Sequence, residues 1–275
     1  MRHPHLARWS AGLSGLAAAL LLVSVSAAPA GAITHGDLDG DDHPFVGLMI
    51  SKDAAGNPLG VCSGTLISPT VFLTAGHCTT APAVAAEVWF DPDLTDAAAH
   101  GLPDTGDAHG TTYTHPDYDP AHFVTRDVGV VVLDSPVSMP EYGTLPALNE
   151  FDALRTQRGL QDVGFTAVGY GVQAMYPDAA GWKVEYQRIR MVATPRLVQV
   201  NTPGTGDYSL LLSANANTGG QCFADSGGPS FVGSSTVVGA VTSYGSNDLC
   251  RGTSGVFRLD RSWALDWLQP FLATS

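Results

Sequence analysis

Short apolar or alternating runs recur along the chain at residues 45–50, 61–67, 71–74, 128–133, 165–172, 210–213 and 237–243, with Gly and Pro between them. Runs of this length, bounded by such breakers, are the mark of strands. The pattern predicts an all-β chain, and the spacing alone leaves sandwich and barrel both open. Near the C-terminal end, Trp263, Trp267 and Leu268 stand at i, i+4 and i+5 behind Ser262, a residue suited to capping. Residues 263–268 are therefore predicted as a short helix whose tryptophans pack rather than bind.

The first 32 residues follow a different rule. Arg2 and Arg8 precede an apolar run at 16–25 and then small residues, the layout of a secretory signal peptide. The run is short of the roughly 20 apolar residues a membrane span requires. Ala30, Gly31 and Ala32 fit a small-x-small cleavage site, so the mature chain is expected to start at Ile33 and to be extracellular. Of 275 residues, 243 then remain, enough for one large or two small cores. Losing two arginines leaves 11 basic residues against 26 acidic ones, a net charge of -15. Nucleic acid is an unsuitable partner for such a chain. No later stretch is long and apolar enough to cross a membrane, and no membrane partner is expected. Four cysteines allow three disulfide connectivities, among which the sequence does not choose. No Cys-x-x-Cys pair suggests zinc.

Candidate chemistry centres on Ser226, in CFADSGGP. A hydroxyl attacks an acyl carbon at neutral pH only when a base removes its proton and a carboxylate orients that base. All nine histidines precede Ser226, which excludes an α/β-hydrolase, where the histidine follows the serine. His77 lies in TAGHC. Asp127 opens the apolar run of RDVGVVVL, as a carboxylate at the mouth of a buried strand would. The order is His77, Asp127, Ser226.

In these three blocks the chain resembles the trypsin-like (chymotrypsin-fold) serine peptidases. The likeness extends to ITHG at 33–36, VGYG at 168–171, SYG at 243–245 and SGVF at 254–257. It implies two six-stranded antiparallel β-barrels, about 33–140 and 141–262, joined by a linker near 136–146 and followed by the short helix. It also implies disulfides Cys62 with Cys78 and Cys222 with Cys250, worth roughly 3 kcal/mol each in a chain-entropy model. His77 would act as base, Asp127 as its orienter and Ser226 as nucleophile, with no cofactor. Backbone N–H groups of Ala224 and Ser226 would form the oxyanion hole. The family usually has glycine where Ala224 stands, so a Cβ there is expected to add strain of order 1 kcal/mol or turn the N–H away.

The resemblance further implies that the α-amino group of Ile33 inserts beside Asp225, although Thr34 and His35 depart from the usual Val-Gly. Gly220, six residues before the nucleophile, would be the pocket floor, with Gln221 beside it and Gly245 and Gly255 as open walls. An uncharged pocket favours a large apolar or aromatic residue before the scissile bond. Ser243, Tyr244 and Gly245 would line the substrate, with Ser243 and Gly245 pairing its backbone. The expected partners are protein or peptide substrates and a proteinaceous inhibitor of the resulting monomer.

Three features stand apart. DLDGDD at 37–42 resembles a calcium loop, but its twelfth position is Leu48, so a solvated acidic turn is expected. His109, His115 and His122 are spaced for chelation, yet a polar surface loop is the simpler reading. Residues 91–114 have few apolar positions and are predicted as an exposed loop near the cleft. A competing reading keeps the scaffold without the chemistry, as a secreted binding protein. Ala224 is its only support, and a serine-directed phosphonate separates the two.

Overall fold

The short apolar runs form strands that are buried on both faces over much of their length. The computed structural model describes residues 33–99, 101–102, 104–122, 125–176, 181, 183–202 and 206–273. The expected signal segment at 1–32 lies outside them. After a two-residue strand β1 (Asp37–Leu38) come β2 (Val46–Lys52), β3 (Pro58–Ser68), β4 (Val71–Thr74), β5 (Ala85–Trp89), β6 (Ala108–Thr114) and β7 (Gly129–Leu133). Strands β2 to β7 form a closed antiparallel barrel in the order β2-β3-β4-β7-β6-β5. Pairing of Leu48 with Trp89 through Lys52 with Ala85 completes the ring. Two short helices, α1 (Gly76–Thr79) and α2 (Thr95–Ala99), interrupt it.

Segment 91–114 is thus not one loop: it contains α2 and β6, and β6 bonds to both β5 and β7. Its strand, AHGTTYT, has few apolar residues because only Gly110 is fully buried while the others are exposed or half-buried. Periodicity in hydrophobicity vanishes when the inward position is a glycine.

The second half comprises β8 (Phe165–Gly169), a small hairpin of β9 (Ala174–Met175) and β10 (Val184–Glu185), then β11 (Met191–Ala193), β12 (Leu197–Thr202), β13 (Gly206–Ala214), β14 (Pro229–Val232), β15 (Val238–Gly245) and β16 (Gly252–Arg258). The larger sheet runs β1-β11-β8-β14-β15-β16-β13-β12. Three residues including Pro195 separate β11 from β12. Proline has no N–H to give a ladder, and here its carbonyl accepts from Phe165 N at 2.9 Å while Leu197 N bonds Val163 O at 2.9 Å. β11 and β12 are therefore halves of one bent strand, each half serving a different neighbour, and the second sheet is a six-stranded half-barrel with β1 added at its edge. This is the all-β, two-barrel architecture with a C-terminal helix that was expected. One boundary differs: Asp37 and Leu38 pair with Val192 and Met191, so the N-terminal segment belongs to the second sheet.

The main core crosses between the halves. Leu66, Phe72, Val88 and Val130 of the first barrel cluster with Val168, Phe231, Val241 and Phe257 of the second. Phe72 has no solvent exposure, and its truncation to alanine would cost about 3–5 kcal/mol. Helix α3 (Ser262–Leu272) outruns the predicted 263–268 and carries Pro270 in its last turn. Its extension is held by packing, with Phe271 5.4 Å from Tyr113 of β6 between ring centres. Ser262 is the first helical residue, and no side chain caps the N-terminus.

The acidic turn at 37–42 is not wholly solvated. Asp39 is buried and accepts from Arg190 Nε at 3.0 Å. Arg190, itself fully buried, also donates to Val46 O (3.1 Å), Phe90 O (2.9 Å), Tyr170 Oη (3.1 Å) and Gly40 O (2.6 Å). One guanidinium, using its fixed fork of donors, ties the N-terminal segment and the first barrel to the second half.

Candidate active site

Asp127 is the centre of a tight turn in which Val128 N bonds Arg126 O at 2.8 Å, just before β7 enters the barrel. His77 sits in α1, immediately after β4. Because β4 and β7 are neighbours, paired from Val71 with Val132 to Thr74 with Gly129, their ends place the two residues together. His77 N donates to Asp127 Oδ1 at 2.8 Å, and His77 Nδ1 donates to Oδ2 at 2.9 Å. A third donor comes across the cleft, Ser243 Oγ to Oδ2 at 2.6 Å. The Asp127 side chain is fully buried. With Nδ1 carrying the proton toward Asp127, Nε2 is left as the acceptor. Burial disfavours the imidazolium, but the charge of Asp127 and its hydrogen bond outweigh that cost, and the His77 pKa is raised above its ordinary 6.5.

Ser226 lies in the turn between Cys222 and β14. Asp225 N bonds Cys222 O, Gly228 N bonds Asp225 O, and Gly227 N bonds Thr242 O. The first barrel grips the same turn through β3, since Ser63 N donates to Ser226 O at 2.8 Å and Ser63 Oγ to Ala224 O at 3.0 Å. Cys78 Sγ, one residue beyond His77, is 3.8 Å from Ser226 O. Among the described residues no hydrogen bond joins the Ser226 hydroxyl to His77, a link that commonly tightens only when substrate binds. Ala224 has φ of +70°, so the turn keeps a left-handed conformation in spite of the Cβ. Among the described residues the backbone N–H groups of Ala224 and Ser226 have no acceptor.

Asp225 is fully buried, with Gly171 N (2.8 Å) and Cys222 N (2.9 Å) as donors. Burial pushes its pKa up to about 7, against the smaller opposing effect of those two bonds. Ile33 is buried with Ala167, Met191 and Ala193. The next residue, Thr34, brackets Gly220: Thr34 N and Oγ1 donate to Gly220 O at 2.9 and 3.1 Å, and Gly220 N returns a bond to Thr34 O.

Beside Ser226 opens a pocket of about 260 Å³, walled by Gln221, the Cys222–Cys250 disulfide, Phe223, residues 242–245, Asn247 and Asp248. Of the expected pocket residues, Gln221, Ser243, Tyr244 and Gly245 line it. Gly220 and Gly255 do not. A Cβ at Gly220 would fall 2.4 Å from Ala214 Cβ, and one at Gly255 would fall 2.1 Å from the Tyr244 ring. These two glycines are explained by close approach of neighbouring groups rather than by an open wall. β15 runs beyond the last pair it makes with β14, so the stretch from Ser243 to Gly245 has a strand neighbour only on the β16 side. The disulfides join Cys62 to Cys78 and Cys222 to Cys250.

The three spaced histidines do not converge. His109 pairs with Asp134, His122 with Asp119, and His115 is buried against Trp263 and Trp267 of α3. His115 therefore is not part of a polar surface loop. Among the described residues the one close His/Cys/Asp/Glu group is Cys62, His77 and Cys78, and its sulfurs are consumed by a disulfide. The bond from Ser243 to Asp127 and the grip of Ser63 on the nucleophile turn had no signal in the sequence, since a serine in a strand reads as any polar residue. Asp248 and Phe223 at the pocket rim were equally silent.

A closed barrel beside a half-barrel, with these groups between them, is the architecture of chymotrypsin-fold proteins. Residues 41–263 match the trypsin family model, and the chain belongs to the trypsin family. A curated relative, a trypsin of Saccharopolyspora erythraea, is 27% identical over 232 residues, covering 80% of this chain and 89% of the relative. Among solved structures, HL collagenase superposes with a TM-score of 0.65 at 18% identity, covering 88% of this chain and 99% of the other. Human heparin binding protein gives 0.63 at 18% identity, with 88% and 98% covered. At those identities the likeness is one of fold.

Proposed function

We propose that the protein is a secreted serine endopeptidase that cleaves peptide bonds through an acyl-enzyme. The two-point hold of Asp127 on His77 is the observation that carries this reading, because it orients the imidazole ring's free nitrogen, Nε2, as a base. His77 Nε2 takes the proton of Ser226, whose Oγ bonds to the substrate carbonyl carbon. The carbonyl oxygen becomes an oxyanion and accepts from Ala224 N and Ser226 N, donors with no other acceptor among the described residues. Collapse breaks the C–N bond, and His77 returns its proton to the departing amine. Water, deprotonated by His77, then hydrolyses the ester and restores Ser226, while Asp127 stays ionised throughout.

The substrate is an extended peptide that pairs with the free side of Ser243 and Gly245 and places a large apolar or aromatic side chain in the pocket. Disulfide and aromatic walls suit such a group. Ile33 favours release by cleavage before it: a β-branched residue at φ of +60° is strained, and cutting the bond to residue 32 abolishes that constraint. The freed ammonium would answer the uncompensated Asp225 carboxyl. Its pKa would rise above about 7.7–8.0, so its stabilising effect is full below that range and disappears as pH climbs through the higher folded value. Any N-terminus other than Ile33 on secreted material refutes this activation.

A serine-directed phosphonate should label Ser226 in the wild type and fail to label His77→Ala. Equal labelling of both proteins overturns the mechanism. Ala224 keeps the left-handed turn in spite of its Cβ, which favours the catalytic reading over the binding-protein alternative. A polyanion such as the name of heparin binding protein indicates is also ill matched to a chain of net charge -13.

A further inference from the structure

Arg126 stands immediately before Asp127 and opens the tight turn that aims it, since Val128 N bonds Arg126 O at 2.8 Å. Its φ is +51°, a left-handed conformation that a long side chain disfavours. Backbone of this kind persists only where the surroundings over-determine it. Here they do so through the side chain. The guanidinium carbon lies 6.0 Å from the centre of the Tyr208 ring and 5.9 Å from that of Trp263, so two aromatic side chains share one cation. Tyr208 belongs to β13 and Trp263 to α3. Both rest on Phe257 of β16, which has no solvent exposure: Tyr208 stacks on it at 6.2 Å and Trp263 meets it edge-on at 4.9 Å. The seat for the cation is therefore fixed by the core of the second half. Arg126 Nη1 also pairs with Asp117, but the two side chains are 29% and 58% exposed, and an ion pair so open to water holds little.

We infer that Arg126 is a positioning residue for catalysis, its cation seated against Tyr208 and Trp263 setting the angle at which Asp127 meets His77. The inference rests on the peptidase reading and deepens it. Asp127 stands at the mouth of a first-barrel strand, yet the second half reaches it from two sides. Ser243 Oγ bonds its carboxylate at 2.6 Å, and the two rings hold the residue before it. The carboxylate must meet two donors of His77 at once, the backbone N at 2.8 Å and Nδ1 at 2.9 Å. Two bonds to one rigid group tolerate little rotation of the turn. A misplacement of about 1 Å among groups that act together costs on the order of 100-fold in rate.

The test measures kcat and KM on a chromogenic peptide carrying phenylalanine before the scissile bond, with active enzyme counted by phosphonate labelling of Ser226 to completion. A merely structural loss reduces the number of active molecules and leaves the turnover of each unchanged. Arg126→Ala should lower kcat by about 10- to 100-fold and keep KM within about twofold, since no substrate contact is removed. Arg126→Gly should fall as far, although glycine suits the left-handed backbone. Wild-type turnover in that variant would mean that the turn aims Asp127 by itself, and overturns the inference. Arg126→Lys returns a cation to the rings and should recover most of the loss; a lysine variant as slow as the alanine one also overturns it. Asp117→Asn should stay within about twofold of wild type, and a fall as deep as that of Arg126→Ala would transfer the hold from the rings to the ion pair. Tyr208→Leu keeps the arginine and should lower kcat severalfold, so the inference stays open to refutation by unchanged turnover there if the Arg126 variants fail to fold. A labelled enzyme whose turnover ignores Arg126 overturns this inference alone. A wild-type protein whose Ser226 takes no phosphonate overturns it together with the peptidase reading.

Discussion

The two halves of the molecule bring their polar groups to the cleft in opposite conditions. On the first-barrel side, Asp127 has three donors and His77 has both its backbone N–H and Nδ1 engaged. On the second-barrel side, the turn from Gln221 to Ser226 holds, among the described residues, a buried carboxyl without a cation, two unpaired N–H groups, an unpaired amide oxygen and an alanine at φ of +70°. The barrel that closes on itself delivers a finished acid–base pair. The half-barrel delivers a turn with polar groups that stay unpartnered among the described residues. Unmet hydrogen bonds cost stability, and they gather where ligands arrive.

The strongest way to break that contrast is to spoil the finished side. Asp127→Asn should lower kcat by about 10⁴-fold, because an amide can stabilise the wrong histidine tautomer. The same variant tests the pKa shift. His77 must be neutral to act as base, so its raised pKa sets the acid limb of kcat/KM above pH 6.5, with activity increasing as pH rises through it. The sign is reversed for stability: the pair's contribution is full below the unfolded value and lost as pH rises through the folded one. In Asp127→Asn the remaining acid limb should move downward; a limb that stays put would show that Asp127 does not raise the pKa.

Next in size is the tie between the halves. Asp39→Ala strands the Arg190 charge in a site with no solvent exposure and should cost about 3–5 kcal/mol of unfolding free energy. Urea unfolding measures it, and a loss below about 1 kcal/mol would mean that the carbonyls and Tyr170 suffice. The smallest effect probes the unfinished side. Ala224→Gly relieves the left-handed strain, of order 1 kcal/mol, but adds unfolded-chain entropy, for a net gain of about 0.5 kcal/mol. Turnover should rise severalfold at most. An unchanged or lower turnover shows that the Cβ does not hinder the oxyanion site.

Much of the fold was legible because both faces of several strands are apolar. β4 matches its predicted span, and β2, β3, β7, β8, β13 and β15 differ only at their ends. β5 and β6 were missed because Glu87 sits in the one, salt-bridged to Lys52, and a glycine takes the inward place of the other. β11 and β12 were hidden by the proline that bends them. At the site, Ser226, His77 and Asp127 were readable as candidates from motif and order, and His77 meets Asp127. Their support was not readable. Ser63, Ser243 and Arg190 act through position, and nothing in a lone serine or arginine announces which distant backbone it will meet.

Helix α3 follows the last strand of the second sheet, yet it docks on the first barrel, with Trp263 and Trp267 flanking His115 and Phe271 beside Tyr113. His115 N in turn bonds Val128 O, next to Asp127. Helix α3 thus braces the loop that carries Asp127. A chain lacking α3 would lose that brace on the Asp127 loop.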